Sequence, residues 1–341
     1  GAVDSSHHEV MPALDAAFAS SLATGGGGGG DVSAVNAKAR GVDVVDASFA
    51  ARCAGATRVD VADNVLGGDA AKCAASLSVL AGMKRLKHLN LANNDLPPGA
   101  LAAFGGAGGG GDAAATTKTK KKRRDDENKK RERAAADDDT AVTALRVLNV
   151  SGNRLDSLDG IESLTNLAAI IANDNAIESL APLRGLKALN TVVLSSNAVD
   201  AIADELASAR ELTKLSLSRN ALRKLPGSSL ANCARLKELR LAHNALKALP
   251  PELGTSCEWL RVLDASHNRF EDWGDVACLK RMTRLQQLSL RGCPLSRREG
   301  YDAAAVKMCP SLRALDGRKV GPGGWIEKEA PREEEEEEEE R

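Results

Sequence analysis

Nine segments of the chain share one eleven-residue pattern, with apolar residues at positions 1, 4, 6 and 11 and Asn or Cys at position 9. Residues 86–96 (LKHLNLANNDL) and 145–155 (LRVLNVSGNRL) carry it at every position. LAAIIANDNAI, LNTVVLSSNAV, LTKLSLSRNAL, LKELRLAHNAL, LRVLDASHNRF and LQQLSLRGCPL follow in order, and a weaker copy, ATRVDVADNVL, lies upstream at 56–66. The ninth positions are Asn64, Asn94, Asn153, Asn175, Asn197, Asn220, Asn244, Asn268 and Cys293; after Asn153 they stand 22, 22, 23, 24, 24 and 25 residues apart. A chain that repeats one unit at such a period must stack its units, because each can bury its apolar side chains only against its neighbours.

The pattern is the consensus of a leucine-rich repeat, with one short strand per unit. It predicts an α/β solenoid over residues 41–320: a curved right-handed superhelix with a parallel sheet on the concave face and short helices or turns on the convex face. In the central apolar-x-apolar triplet the two apolar side chains point inward, and the residues between them point out. Each buried Leu is worth about 1.5–3 kcal/mol. The ladder Asn is needed where the chain turns inward after the strand, because its amide satisfies backbone donors and acceptors removed from water. Leu217→Asp and Asn220→Ala are therefore expected to damage folding rather than function. Residues 201–209 place Ile202 and Leu206 four apart, which suits a short helix. Leu225-Pro226 and Leu249-Pro250-Pro251 read as extended or turn connections.

The chain has only eight aromatic residues, so this core is built from Leu, Val, Ile and Ala. Seven scattered cysteines, odd in number and without a C-x-x-C pair, argue for reduced thiols over a disulfide framework. No run of eighteen apolar residues points to a membrane span. The chain opens on Gly1 rather than Met, which leaves open whether a leader precedes it.

Charge is segregated. Residues 333–340 are all Glu, and without them the net charge of −1 becomes +7. Between Lys118 and Arg133 ten Lys/Arg face four Asp/Glu. This run lies in a Gly-rich, charged insertion, residues 105–141, that stretches the Asn94–Asn153 spacing to 59 and reads as disordered. Lys120 to Arg124 suit a nuclear-localisation signal or a nucleic-acid patch, against the plainer reading of a solvated loop. Residues 1–40, with glycines at 25–30, read as flexible; no Lys-Ser/Thr follows those glycines, so they form no phosphate loop. Residues 321–341 read as an acidic tail, which in a second expectation folds back on the basic columns described next and competes with a partner.

Outward positions from Leu212 onward supply Lys214, Arg219, Lys237, Arg240, Arg261 and Arg291, opposed by Glu238 and Asp264. Such columns on a rigid face would attract a protein with an acidic surface. The preceding repeats are nearly uncharged, with Ile171, Val193 and Asn190 outward. His243 and His267 share one column beside Asp264 and Ser266; on an open face they read as contact residues, not as a catalytic or metal cluster. Cys293 reads as a structural substitute for Asn, and Trp273 as packing. The expectation is a non-enzymatic, monomeric protein-binding scaffold or regulatory subunit without metal or cofactor. The alternative is a nuclear protein of nucleic-acid or ribonucleoprotein complexes. Too few aromatics for base stacking count against direct single-strand binding.

After the last ladder position, Pro294, Leu295, Tyr301, Val306, Pro310, Leu312, Leu315, Asp316 and Gly317 fall where a terminal cap belongs. Residues 293–317 resemble the C-terminal cap of the protein-phosphatase-1-regulator type of leucine-rich-repeat proteins. That cap is shared with the axonemal outer-arm dynein leucine-rich light chain, an acidic-tailed nuclear phosphoprotein family and a spliceosomal U2 protein. Asp272-Trp273-Gly274-Asp275 and its surroundings are most similar to the dynein light chain. The resemblance implies a dynein-associated or phosphatase-regulatory role in the cytoplasm, the cilium included, or the nucleus.

Overall fold

The computed structural model describes residues 13–15, 33–105 and 144–327. β1 (Ala13–Leu14) and β3 (Val44–Val45) make a small parallel pair. The main sheet has twelve strands. It begins with β2 (Ala34–Asn36), β4 (Arg58–Asp60), β5 (His88–Asn90) and β6 (Val147–Asn149), and continues with β7 (Ala169–Ile171), β8 (Thr191–Val193) and β9 (Lys214–Ser216). β10 (Glu238–Arg240), β11 (Val262–Asp264), β12 (Gln287–Ser289), β13 (Ala314–Leu315) and β14 (Arg318–Lys319) complete it. Within this sheet the strands lie in chain order, β3 alone being skipped between β2 and β4, and every pair is parallel except the closing β13–β14 turn.

The register is the sequence pattern made physical. Leu148 lies beside Ile170, then Val192, Leu215, Leu239 and Leu263, and all are buried. The residues flanking these strand centres are half-buried or exposed, as the two-residue period of a strand requires, except Ser216, which is buried. Return segments close the stack with short 3-10 turns such as Ala181–Leu183 and Ala277–Arg281 and, among the described residues, with four helices: α1 (Ala47–Arg52), α2 (Ala70–Ala81), α3 (Leu253–Ser256) and α4 (Tyr301–Met308).

Several boundaries differ from those expected. The sheet starts at Ala34, inside the segment read as flexible, because β2 lacks the leucine pattern yet pairs in register with β4 through Val35 and Val59, both buried. At the other end Val320 bridges Ile326 and the Gly321 N–H donates to the Trp325 carbonyl at 2.9 Å, so the cap reaches into the stretch assigned to the tail. The charged insertion (from residue 106), the Glu run and residues 16–32 lie outside the described residues. Residues 201–209 form no helix: Ile202 and Leu206 are buried, but the backbone closes in successive turns, Ala207 N–H to the Asp204 carbonyl and Ala209 N–H to the Leu206 carbonyl. The longest described helix, α2, was not anticipated. Asp69 caps it by accepting from the Lys72 N–H at 2.9 Å, and Cys73, Leu77 and Leu80 make its buried stripe. All seven cysteines are free and buried.

Candidate protein-binding face

The ladder residues hold the face rigid. Asn153 accepts from the Asn94 and Leu96 N–H groups at 3.1 and 2.9 Å, and donates to the Leu91 and Val150 carbonyls at 3.0 and 2.8 Å. Asn175, Asn197, Asn220, Asn244 and Asn268 repeat this, each tying its own turn to the preceding repeat. Cys293 does the same with a thiol: its Sγ accepts from the Asn268 N–H at 3.4 Å and donates to the Ala265 carbonyl at 3.5 Å. Asn94 is the exception. Its Oδ1 is buried without a hydrogen-bond partner. The preceding repeat is longer and carries α2; there the Gly67 N–H donates instead to the Asn94 backbone carbonyl at 2.9 Å. Only Gly fits, since a Cβ on Gly67 would stand 2.0 Å from the Asp95 carbonyl oxygen.

The residues expected to bind a partner fall into several columns. Lys214 and Arg240 lie on strands, and Asp264 ends β11. Lys237 and Arg261 directly precede β10 and β11. Arg219, His243 and His267 are not strand residues: they sit in the turn before the ladder Asn with φ of 55°, 54° and 52°, because each strand lasts only three residues. Arg291 follows β12 in the turn toward Cys293.

The positive excess is smaller than a residue count suggests. Glu238 takes Arg240 Nε at 2.5 Å and Lys214 Nζ at 3.4 Å, so one carboxylate serves two cations. Partial burial pushes the Glu238 carboxyl up, but the Arg240 hydrogen bond and the Arg240 and Lys214 charges outweigh it and hold it below the usual range. Asp264 accepts from the Ser266 hydroxyl at 2.7 Å. Arg219, Lys237 and Arg261 make no ion pair among the described residues and are exposed. In the neighbouring repeats Asn190 is exposed, whereas Ile171 and Val193 are half-buried.

The imidazoles of His243 and His267 stack at 4.1 Å between centroids, 11° from parallel. The His267 ring lies over Gly292, where a Cβ would stand 2.5 Å from Nδ1. No group of three or more His, Cys, Asp or Glu able to hold a metal occurs among the described residues. The cysteines are poor nucleophiles: burial pushes Cys233 up to about 11 and Cys257, Cys278 and Cys309 up to about 12.

Asp272, Trp273, Gly274 and Asp275 form a tight turn. Asp275 Oδ2 accepts from the Glu271 and Asp272 N–H groups, and Asp272 Oδ1 from the Gly274 N–H. Trp273 packs half-buried, its ring 5.6 Å from that of Tyr301. In the cap, Arg318 pairs with both Asp302 oxygens at 2.9 and 2.6 Å, and Asp316 accepts from the Leu290 N–H. Sequence reasoning missed Trp259, which is 43% exposed. It stands one residue ahead of the eleven-residue pattern, where the consensus is silent.

Residues 210–270 match the family model of the leucine-rich repeat. The fold is a leucine-rich-repeat solenoid. A solved leucine-rich-repeat protein of Leptospira interrogans is similar over 84% of this chain, with TM-score 0.62 and 17% identity. This chain spans 66% of that protein's length. An internalin of Listeria monocytogenes gives a looser likeness, TM-score 0.45 at 15% identity, covering 84% of this chain and 86% of that one. No curated protein matches the chain in sequence. No described helix is long and apolar enough to cross a membrane.

Proposed function

We propose that this solenoid is a non-enzymatic, monomeric scaffold or regulatory subunit that holds an acidic surface of a protein partner against the sheet face of β9–β12. The carrying observation is the set of exposed cations without ion pairs, Arg219, Lys237 and Arg261, fixed on consecutive repeats of a hydrogen-bonded stack. A rigid face loses little conformational entropy on binding, and its charge steers encounter and sets the orientation of docking. Within that reading the resemblance around Asp272 to Asp275 and in the cap favours a dynein-associated or phosphatase-regulatory partner, in the cytoplasm, the cilium or the nucleus.

The test is capture from a cell extract by the native chain and by the Arg219→Glu/Arg261→Glu variant, with captured proteins identified by mass spectrometry. Loss of a discrete set of proteins from a variant with unchanged thermal unfolding supports the reading. Capture of the same set by both chains sinks it.

A further inference from the structure

Beside the sheet face, along the edge where the strands begin, runs a second surface. Residues directly preceding a strand (Arg146, Ala168, Asn190, Thr213, Lys237) form one wall. Residues two positions earlier (Asn166, Ala188, Glu211, Arg235, Trp259) form the other. Together they enclose an open groove of about 810 Å³. It opens because Ala168 and Ala188 are small where the repeats on either side carry long side chains. From β6 to β11 it extends about 24 Å, five strand spacings, which matches about seven residues of extended chain.

Its chemistry is directional. Cations outnumber anions, and the one carboxylate, Glu211, is already paired with Arg235. Arg146 at one end and Lys237 near the other make no ion pair among the described residues. Trp259 closes the far end, with the Arg284 guanidinium 3.8 Å from its ring centroid. Trp and Arg are the side chains that most often dominate binding energy at interfaces. Asn190 Oδ1 accepts from the Thr191 hydroxyl, and its Nδ2 makes no hydrogen bond among the described residues, so it can donate to a peptide carbonyl. A single-stranded polynucleotide is the poorer fit, since successive bases need successive aromatic platforms and the groove has one ring.

We propose that this groove receives an extended acidic peptide segment of a protein partner, with carboxylates toward Arg146 and Lys237 and a bulky apolar or aromatic side chain on Trp259. The inference rests on the protein-binding reading above and assigns it an anchoring site off the main sheet face.

The test starts from a displayed library of random ten-residue peptides selected on the full chain. Enriched peptides should carry at least two Asp or Glu and one aromatic or large aliphatic residue. Made synthetically, they should lose at least tenfold in affinity on Trp259→Ala and on Arg146→Glu. Both sites are exposed, and unchanged circular dichroism and thermal unfolding establish that the variants fold. Enriched peptides without acidic residues overturn the proposal, as does failure to enrich. Peptides that bind both variants normally but lose affinity on Arg219→Glu/Arg261→Glu overturn the groove while leaving the sheet-face reading standing. Enrichment only after deletion of residues 333–341 makes the chain's own Glu run the occupant instead, and tighter binding of a ten-residue oligothymidylate makes the ligand a nucleic acid; either result overturns the peptide assignment.

Discussion

At the scale of single residues, the ladder gives a graded experiment. Asn153 serves two N–H groups and two main-chain carbonyls, all remote from water, whereas Asn94 contributes only as a donor because its Oδ1 has no partner. Leaving a buried polar group unpaired costs about 1–3 kcal/mol. Asn153→Ala should therefore lower the unfolding free energy in urea by about 2–4 kcal/mol and Asn94→Ala by about half as much; equal losses would contradict the hydrogen-bond accounting. His243 offers a second test. Burial in its column, then the His267 and Arg219 charges, hold its pKa below the ordinary 6.5, with Asp264 opposing. The unfolded chain thus takes up this proton at a higher pH than the folded chain. This contribution to stability is whole above pH 6.5 and declines as the pH falls through 6.5 toward the folded value. An imidazole titration followed by NMR should place the His243 midpoint below 6.5, and His243→Gln should flatten the loss of thermal stability on acidification.

At the scale of elements, what the sequence makes legible is what chemistry restricts to a few residue types. Leu215 and Leu217 can only face inward, and Asn220 only fills a turn that needs both a donor and acceptors. Hence strand order, register and ladder were readable. The return segments obey weaker constraints, and there reading failed in both directions: residues 201–209 have helical spacing without helix, while α2 passed unnoticed between two copies of the pattern. Its signal was present in Asp69 followed by Cys73, Leu77 and Leu80. Asp69→Ala, which removes the acceptor for the Lys72 N–H, should cost about 1 kcal/mol and speed amide exchange first in the opening turn of α2. Uniform exchange along the helix would argue against capping by Asp69. The candidate site was half legible for the same reason. The basic residues could be counted, but their neutralisation by Glu238 depends on which repeats adjoin, and Trp259 lies outside the pattern that guided the reading.

At the scale of the molecule, a solenoid has ends and a middle, and an identical defect should act differently in each. Every repeat touches only its neighbours, so stability is close to a sum of units and interfaces. Leu315 in β13 and Leu217 just after β9 are both fully buried. Replacing either with Asp puts a carboxylate where no partner exists, a cost several times that of a lost methyl contact. At Leu315 the damage has one side on which to spread. The cap held by the Arg318–Asp302 pair and the Tyr301 ring should open, while β4–β10 remain folded. At Leu217 the defect separates two stacks, each then left with an uncapped apolar face. Hydrogen exchange read by mass spectrometry should accordingly show Leu315→Asp losing protection only from about β12 onward, and Leu217→Asp losing it across β7–β11. The distinction reaches function, because the groove from Arg146 to Trp259 lies mostly inside the second region and outside the first. Leu315→Asp should thus retain groove ligands that Leu217→Asp releases. If both variants lose protection throughout, the twelve strands fold as one cooperative unit and the nearest-neighbour account of this solenoid fails.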